Sequence, residues 1–212
     1  MKKQFIFFLL IVVSCSNEDE DQICNEFELK LNCGEVIYPK ESDSPYVLPW
    51  EVGKNYKVAQ GNCTEGSHSY GSYNQFAYDF TMPIGTKIVA IRSGIVVGVE
   101  ERNFDNEQSG IDASKNNYIK IKHEDGTEAI YLHMTYEGVL KEIGDNVAQG
   151  EVIALSGNSG WSSGPHLHLQ VNNSFIQPGG GSRLIPITFN NTKPHCQGLL
   201  DISSNPDGYT AN

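Results

Sequence analysis

The sequence predicts an all-β domain, an antiparallel β-sandwich or hybrid barrel with few or no helices, and three observations predict it. First, residues 67–172 are rich in Val, Ile, Tyr and Gly, are cut by Gly and Asp at short intervals, and show no amphipathic helical period. Second, Tyr118-Ile119-Lys120-Ile121-Lys122-His123 alternates, Glu124-Asp125-Gly126-Thr127 turns, and Glu128-Ala129-Ile130-Tyr131-Leu132-His133 alternates back. Asp-Gly between two such runs is a strong hairpin signal, because glycine accepts the positive φ of a tight turn. Third, Ile84-Gly85-Thr86-Lys87-Ile88 returns as Ile143-Gly144-Asp145-Asn146-Val147, a weak internal repeat that suits two similar halves.

Taken in order, the chain begins with Lys2 and Lys3 and an apolar run over 5–13, too short to span a bilayer as a helix. A basic start and a short apolar core read as a secretory signal peptide over 1–14. Its end, Val12-Val13-Ser14-Cys15, resembles a bacterial lipobox, so Cys15 is expected to be lipidated and 15–23, with its acidic run Glu18-Asp19-Glu20-Asp21, to be a solvated tether. These features predict export, with lipid anchoring in the cell envelope, at the outer membrane or the cell surface. The full chain carries 15 basic and 26 acidic side chains; without the leader's two lysines, 13 stand against 26, a net −13. A body this acidic excludes nucleic acid, whose affinity comes mainly from Lys and Arg on phosphates.

Four cysteines remain, Cys24, Cys33, Cys63 and Cys196, and an exported chain with an even number is expected to pair them in one of three ways. The short span around Phe27, Leu29 and Leu31 favours Cys24–Cys33 as a hairpin staple, which leaves Cys63–Cys196. Residues 24–66, with Pro, Gly and aromatics from 45 onward, read as a strap leading into the core. The polar stretch 103–115 reads as a surface loop. After 172, a Gly-rich turn leads to Ile185-Pro186-Ile187-Thr188-Phe189, expected to be an edge strand because proline cannot donate to a ladder. Residues 173–212 are thus a C-terminal strand and tail.

Chemistry concentrates in Gly164-Pro165-His166-Leu167-His168-Leu169-Gln170-Val171. With period two, His166, His168 and Gln170 share one face of a strand and Leu167, Leu169 and Val171 the other. In Phe76-Ala77-Tyr78-Asp79-Phe80 the aromatics take one face and Asp79 the other. A carboxylate there is costly unless paired or bound to metal. Beside histidines on strands it becomes a candidate zinc ligand, since zinc takes imidazole and carboxylate in tetrahedral sites. On the hairpin's return strand, Ala129, Tyr131 and His133 are set against Ile130, Leu132 and Met134, which places His133 opposite the apolar set and open to a cleft.

The ordered set His68…Asp79, Tyr131-Leu132-His133 and Gly164-Pro165-His166-Leu167-His168-Leu169 resembles the zinc endopeptidase family of lysostaphin and LytM. Gly85-Thr86, Gly94-Ile95-Val96, Asn117-Tyr118, Gly144-Asp145 and Gly157-Asn158-Ser159-Gly160 match it too. The resemblance implies that fold, a Zn2+ ion on His68, Asp79 and His168, His166 as general base, and His133 as donor to the oxyanion of the reacting carbonyl. It also implies Asn117 as a substrate contact, peptidoglycan peptide as substrate, and hydrolysis of its cross-links by a monomeric enzyme whose membrane contact is the lipid anchor. The family's HxxxD spacing is stretched here, so 69–78 is expected to loop out and return. His123 is expected to be structural and His195, outside the core beside Cys196, incidental. The alternatives are a non-catalytic scaffold that activates another wall hydrolase, which would lack ligand residues, and a lipoyl-type carrier, which would need a lysine at a hairpin tip.

Overall fold

The computed structural model describes residues 33, 36–173, 183–193, 200 and 205–212. Among these there is no α-helix, only strands and two short 3₁₀ turns, Glu41–Asp43 and Ala113–Lys115. The strands are β1 Asn55–Gln60, β2 Tyr78–Thr81, β3 Lys87–Val89, β4 Gly94–Glu100, β5 Tyr118–Lys122 and β6 Thr127–Leu132. They continue with β7 Met134–Val139, β8 Asn146–Val147, β9 Val152–Ser156, β10 His166–Asn173, β11 Arg183–Leu184 and β12 Tyr209–Thr210. One large antiparallel sheet runs β12-β1-β2-β10-β6-β5-β4-β8, with β11 on the far end of β10, and a smaller one runs β3-β9-β7. The large sheet stays open rather than closing into a barrel.

Period two decides which face of the large sheet is dry. Tyr78 and Phe80 of β2, Leu167, Leu169 and Val171 of β10, Ala129 and Tyr131 of β6, and Ile119 and Ile121 of β5 are fully buried in one core. Ile88, Ile153 and Ala154 of the smaller sheet pack into that core as well. The expected hairpin is β5–β6, closed by His123 N–H on Thr127 O at 2.8 Å, with Gly126 at φ +81°. The repeat also holds: Gly85 and Gly144, at φ +84° and +100°, sit in like turns before β3 and β8.

The strap contributes Tyr46, Leu48 and Trp50 to the core, with Trp50 set edge-on to Phe80. β1 and β12 lie outside the expected 67–172 core yet extend the same sheet. The expected edge strand over 185–189 is absent. Pairing with β10 ends at β11, Ile185 N–H makes one more bond to Val171 O at 3.0 Å, and Pro186 has no N–H to continue. The segment is held instead by burial of Ile187 and Phe189 in the core.

The expected disulfides are corrected. Cys33 is bonded to Cys63, their Cα atoms 5.3 Å apart, in a small apolar cluster with Phe76 and Leu184. Neither Cys24–Cys33 nor Cys63–Cys196 can coexist with this bond. Sequence proximity favoured the local pair, whereas the strap's path over the sheet decides which sulfurs meet. Cys24, Cys196, Cys15 and His195 lie outside the described residues.

Candidate metal centre and its histidines

On the polar face of the large sheet, β2 and β10 place His168 directly opposite Asp79. Their side chains meet, His168 Nδ1 lying 2.8 Å from Asp79 Oδ1. On its other side, His168 Nε2 lies 2.9 Å from Gln170 Oε1, and Gln170 Nε2 donates to Asn172 Oδ1 at 3.1 Å. Three alternate residues of β10 therefore form one buried polar line that fixes the His168 ring. Burial opposes protonation of His168, but the hydrogen bond and charge of Asp79 outweigh it and raise its pKa. Burial likewise opposes ionisation of Asp79, and its hydrogen bond to His168, with the nearby His168 and His68 imidazoles, overcomes this. They hold the carboxyl well below the usual carboxylate range.

His68 arrives from a loop. Successive turns (Ser72 N–H on Ser69 O, Gln75 N–H on Ser72 O, Ala77 N–H on Asn74 O) carry 69–78 out and back, as expected. Gln60 ties the base of this loop, donating to Glu65 O and accepting from Ser67 Oγ, and Cys63 N–H reaches Gln75 O. His68 is fully buried, its Nδ1 3.2 Å from Gly61 O. Its Nε2 is buried without a hydrogen bond and lies 3.5 Å from Asp79 Oδ2. One ligand atom each from His68, Asp79 and His168 falls within a 4.8 Å cluster. Two imidazoles and a carboxylate form a donor set that zinc takes, and the orphaned His68 Nε2 is the atom that a bound cation would satisfy.

Two further imidazoles border this cluster. His166 Nδ1–H donates to Gly164 O at 2.7 Å, with Ser162 Oγ 3.1 Å away, so its Nε2 is turned inward, 3.8 Å from Asp79 Oδ1. His133 Nδ1–H donates to Ser159 O at 2.8 Å, and its ring centroid is 4.5 Å from that of His166. Burial first, and then the neighbouring His166 and His168, lower the His133 pKa to about 3, which keeps this ring neutral. Beside Asp79 and His166, a cleft of about 380 Å³ opens between Ala59, Gln60, Thr81, Ser163 and Pro165.

His133 reaches this face by an unexpected route. Ala129 and Tyr131 are core residues, while Ile130 and Leu132 pair with Gln170 and His168 on the polar face. Strict alternation would thus send His133 into the core, the reverse of the expected assignment. His133 instead adopts φ +68° between β6 and β7. That left-handed step breaks the alternation, turns the ring onto the polar face, and returns Met134 to the core.

Asn117, which the resemblance implies as a substrate contact, is held inside the protein. It is fully buried, its Oδ1 accepts from Asn103 N, and its Nδ2 donates to Asn103 O and Met134 O. It braces the chain that leaves His133. His123 is structural, bonded through Nδ1 to Ser93 O at 3.0 Å. Sequence reasoning missed Ser159 and Ser162, whose contacts orient the two histidines. It placed Gln170 on the correct face without assigning it a task.

The fold and donor set define a β-sheet protein with a preformed metal-ligating cluster. The sequence model of peptidase family M23 matches residues 73–179, just over half of the 212 residues, and the chain belongs to that family. The match begins after His68, so this residue's place rests on the geometry above. The chain is 30% identical over 167 residues to the glycyl-glycine endopeptidase ALE-1 of Staphylococcus capitis, covering 74% of this chain and 42% of that protein. To lysostaphin of Staphylococcus simulans it is 35% identical over 130 residues, covering 57% and 22%. Among solved structures it resembles the catalytic domain of the M23 protein EnpA from Enterococcus faecalis, with 26% identity, TM-score 0.47, and coverage of 66% and 94%. The chain thus spans less than half the length of these two curated relatives.

Proposed function

We propose that this protein is an exported zinc metalloendopeptidase that hydrolyses peptide cross-links of peptidoglycan. The observation that carries the reading is the convergence of His68, Asp79 and His168 within 4.8 Å, with the Nε2 atoms of His166 and His133 left free by their Nδ1 bonds. His68, Asp79 and His168 would hold the ion, which when bound supplies a Lewis acid that polarises water and the peptide carbonyl. His166 takes up the proton released by the attacking water at its inward Nε2 and returns it to the leaving amine. His133 is oriented by Ser159 and kept neutral with its proton on Nδ1, so its Nε2 faces the reacting centre as a hydrogen-bond acceptor for the attacking water, not as a donor to the oxyanion. A complete donor set supports catalysis over a scaffold role. The names of the relatives, a glycyl-glycine endopeptidase and, in Vibrio cholerae, a peptidoglycan DD-endopeptidase, support the substrate class.

Export with a lipid anchor at Cys15, and function as a monomer, complete the reading. Among the described residues no helix is long and apolar enough to cross a membrane. The test is zinc analysis of the purified chain followed by digestion of isolated sacculi. Release of peptide-linked fragments that a chelator abolishes is the expected result. Intact cross-links with a zinc-loaded protein would overturn it.

A further inference from the structure

The loop 103–115, an insertion with no chemistry of its own in sequence, grips the segment that orients His133. Asp105 is the centre of the grip. Its Oδ1 accepts the backbone N–H of Asn158 at 2.5 Å, and its Oδ2 accepts from Thr135 Oγ1 at 2.5 Å. Asn158 precedes Ser159, whose carbonyl takes the His133 Nδ1–H, and Thr135 follows His133 by two residues. A closed ring results, His133 to Ser159, Asn158, Asp105, Thr135 and back along the chain to His133. Ser159 Oγ donates across it to Met134 O at 2.8 Å.

The ring is built tightly. A Cβ on Gly157 would lie 2.4 Å from Thr135 N and 2.5 Å from Asp105 Oδ1, so only glycine lets the three segments meet. Behind Asp105, Asn106 Nδ2 donates to Asn158 O and Gly160 O, and Asn158 Nδ2 returns bonds to Asn106 O and Gln108 O. These four bonds join the insertion to the 157–160 segment.

We infer that Asp105 is a positioning residue that holds His133 at its left-handed step and its Nδ1–H on Ser159 O, through Asn158 and Thr135. His133 occupies φ +68°, a conformation that a non-glycine residue keeps only when its surroundings over-determine it. Asp105 supplies that determination from outside the strands, touching neither the ligand cluster nor the cleft. The turnover part of this inference rests on the proposed function; the orientation of the ring does not.

The test uses the full-length, zinc-loaded chain and the variants Asp105→Asn and Thr135→Val, the second of which keeps the shape while removing only the Oδ2 bond. Two measurements are made on each, exchange of the His133 Nδ1–H with solvent by nitrogen-edited NMR, and kcat and KM on a cross-linked peptide. In both variants exchange should quicken by about tenfold or more, and kcat should fall by about ten- to a hundredfold with KM within about twofold and zinc content unchanged, the scale of losing an orienting partner. Asp105→Asn made on top of His133→Ala should add little, because the two lie on one path. Unchanged Nδ1–H exchange in both variants would overturn the inference, as would an equal loss of kcat in the presence and absence of His133. If the unaltered chain cleaves no peptide, the proposed function fails, and the exchange measurement still decides the role of Asp105.

Discussion

Two halves of the site reach the same few ångströms by different means. Asp79 and His168 stand on adjacent strands, and antiparallel register alone sets them opposite each other. His68 and His133 come from a long loop and from a left-handed step, and each is held by a single carbonyl, Gly61 O or Ser159 O. Strand-borne residues inherit their position from ladders that many core side chains stabilise. Loop-borne residues depend on particular distant partners, so they are the part of the site that a remote change can move.

The sharpest way to break this comparison is to remove ligands from both halves. Asp79→Ala and His168→Ala should take zinc from about one per chain to near none, as should His68→Ala if the loop truly completes the set. Metal analysis by mass spectrometry decides it; a His68→Ala protein that keeps full zinc would leave the strand pair as the whole site. His166→Ala and His133→Ala should instead keep the metal and lower kcat by about 10²–10³-fold, the scale of deleting one group that acts in the transition state. Retained zinc with near-normal turnover would remove that histidine from the mechanism.

A smaller effect sharpens the strand half alone. Gln170 touches His168 Nε2 and is itself held by Asn172. Gln170→Leu keeps the volume and removes the acceptor, so zinc affinity should fall by about 10–100-fold in chelator competition, with the fold intact by circular dichroism. Unaltered affinity would mean that the ladder fixes the ring without help.

The same division governs what the sequence could reveal. Period two located the HxH face, the Asp79 face and the β5–β6 hairpin, because each depends on neighbours two residues apart. It misassigned the return strand, since nothing in Tyr131-Leu132-His133 announces that His133 takes φ +68°. That conformation is held by Ser159, Asn117 and Asp105, residues 26, 16 and 28 positions away in the chain. Cys33 and Cys63 met for a similar reason, with the path of the strap over the sheet deciding the pair. Asn117 is a substrate contact only by resemblance, and its burial depends on Asn103 and Met134, 14 and 17 positions away, which the sequence does not reveal.

The smallest predicted effect is a pair of substitutions of opposite sign within one loop. Gly157 and Gly164 bracket the segment that carries Ser159 and Ser162, and neither has a positive φ, so backbone strain does not separate them. Space does. A Cβ on Gly157 would press on Thr135 N at 2.4 Å and Thr135 Cα at 2.5 Å, backbone atoms next to β-ladder contacts that cannot swing aside. Gly157→Ala should therefore destabilise the fold by about 1–3 kcal/mol, the usual cost of overpacking. A Cβ on Gly164 would meet nothing within 4 Å. Gly164→Ala should be neutral or stabilise by about 0.4–1 kcal/mol, because alanine restricts the unfolded chain more than glycine does. Urea melts of the two variants against the unaltered protein measure both signs. Equal destabilisation would mean that the loop tolerates no side chain for reasons other than the contact with Thr135, and the tight junction beneath His133 would lose its support.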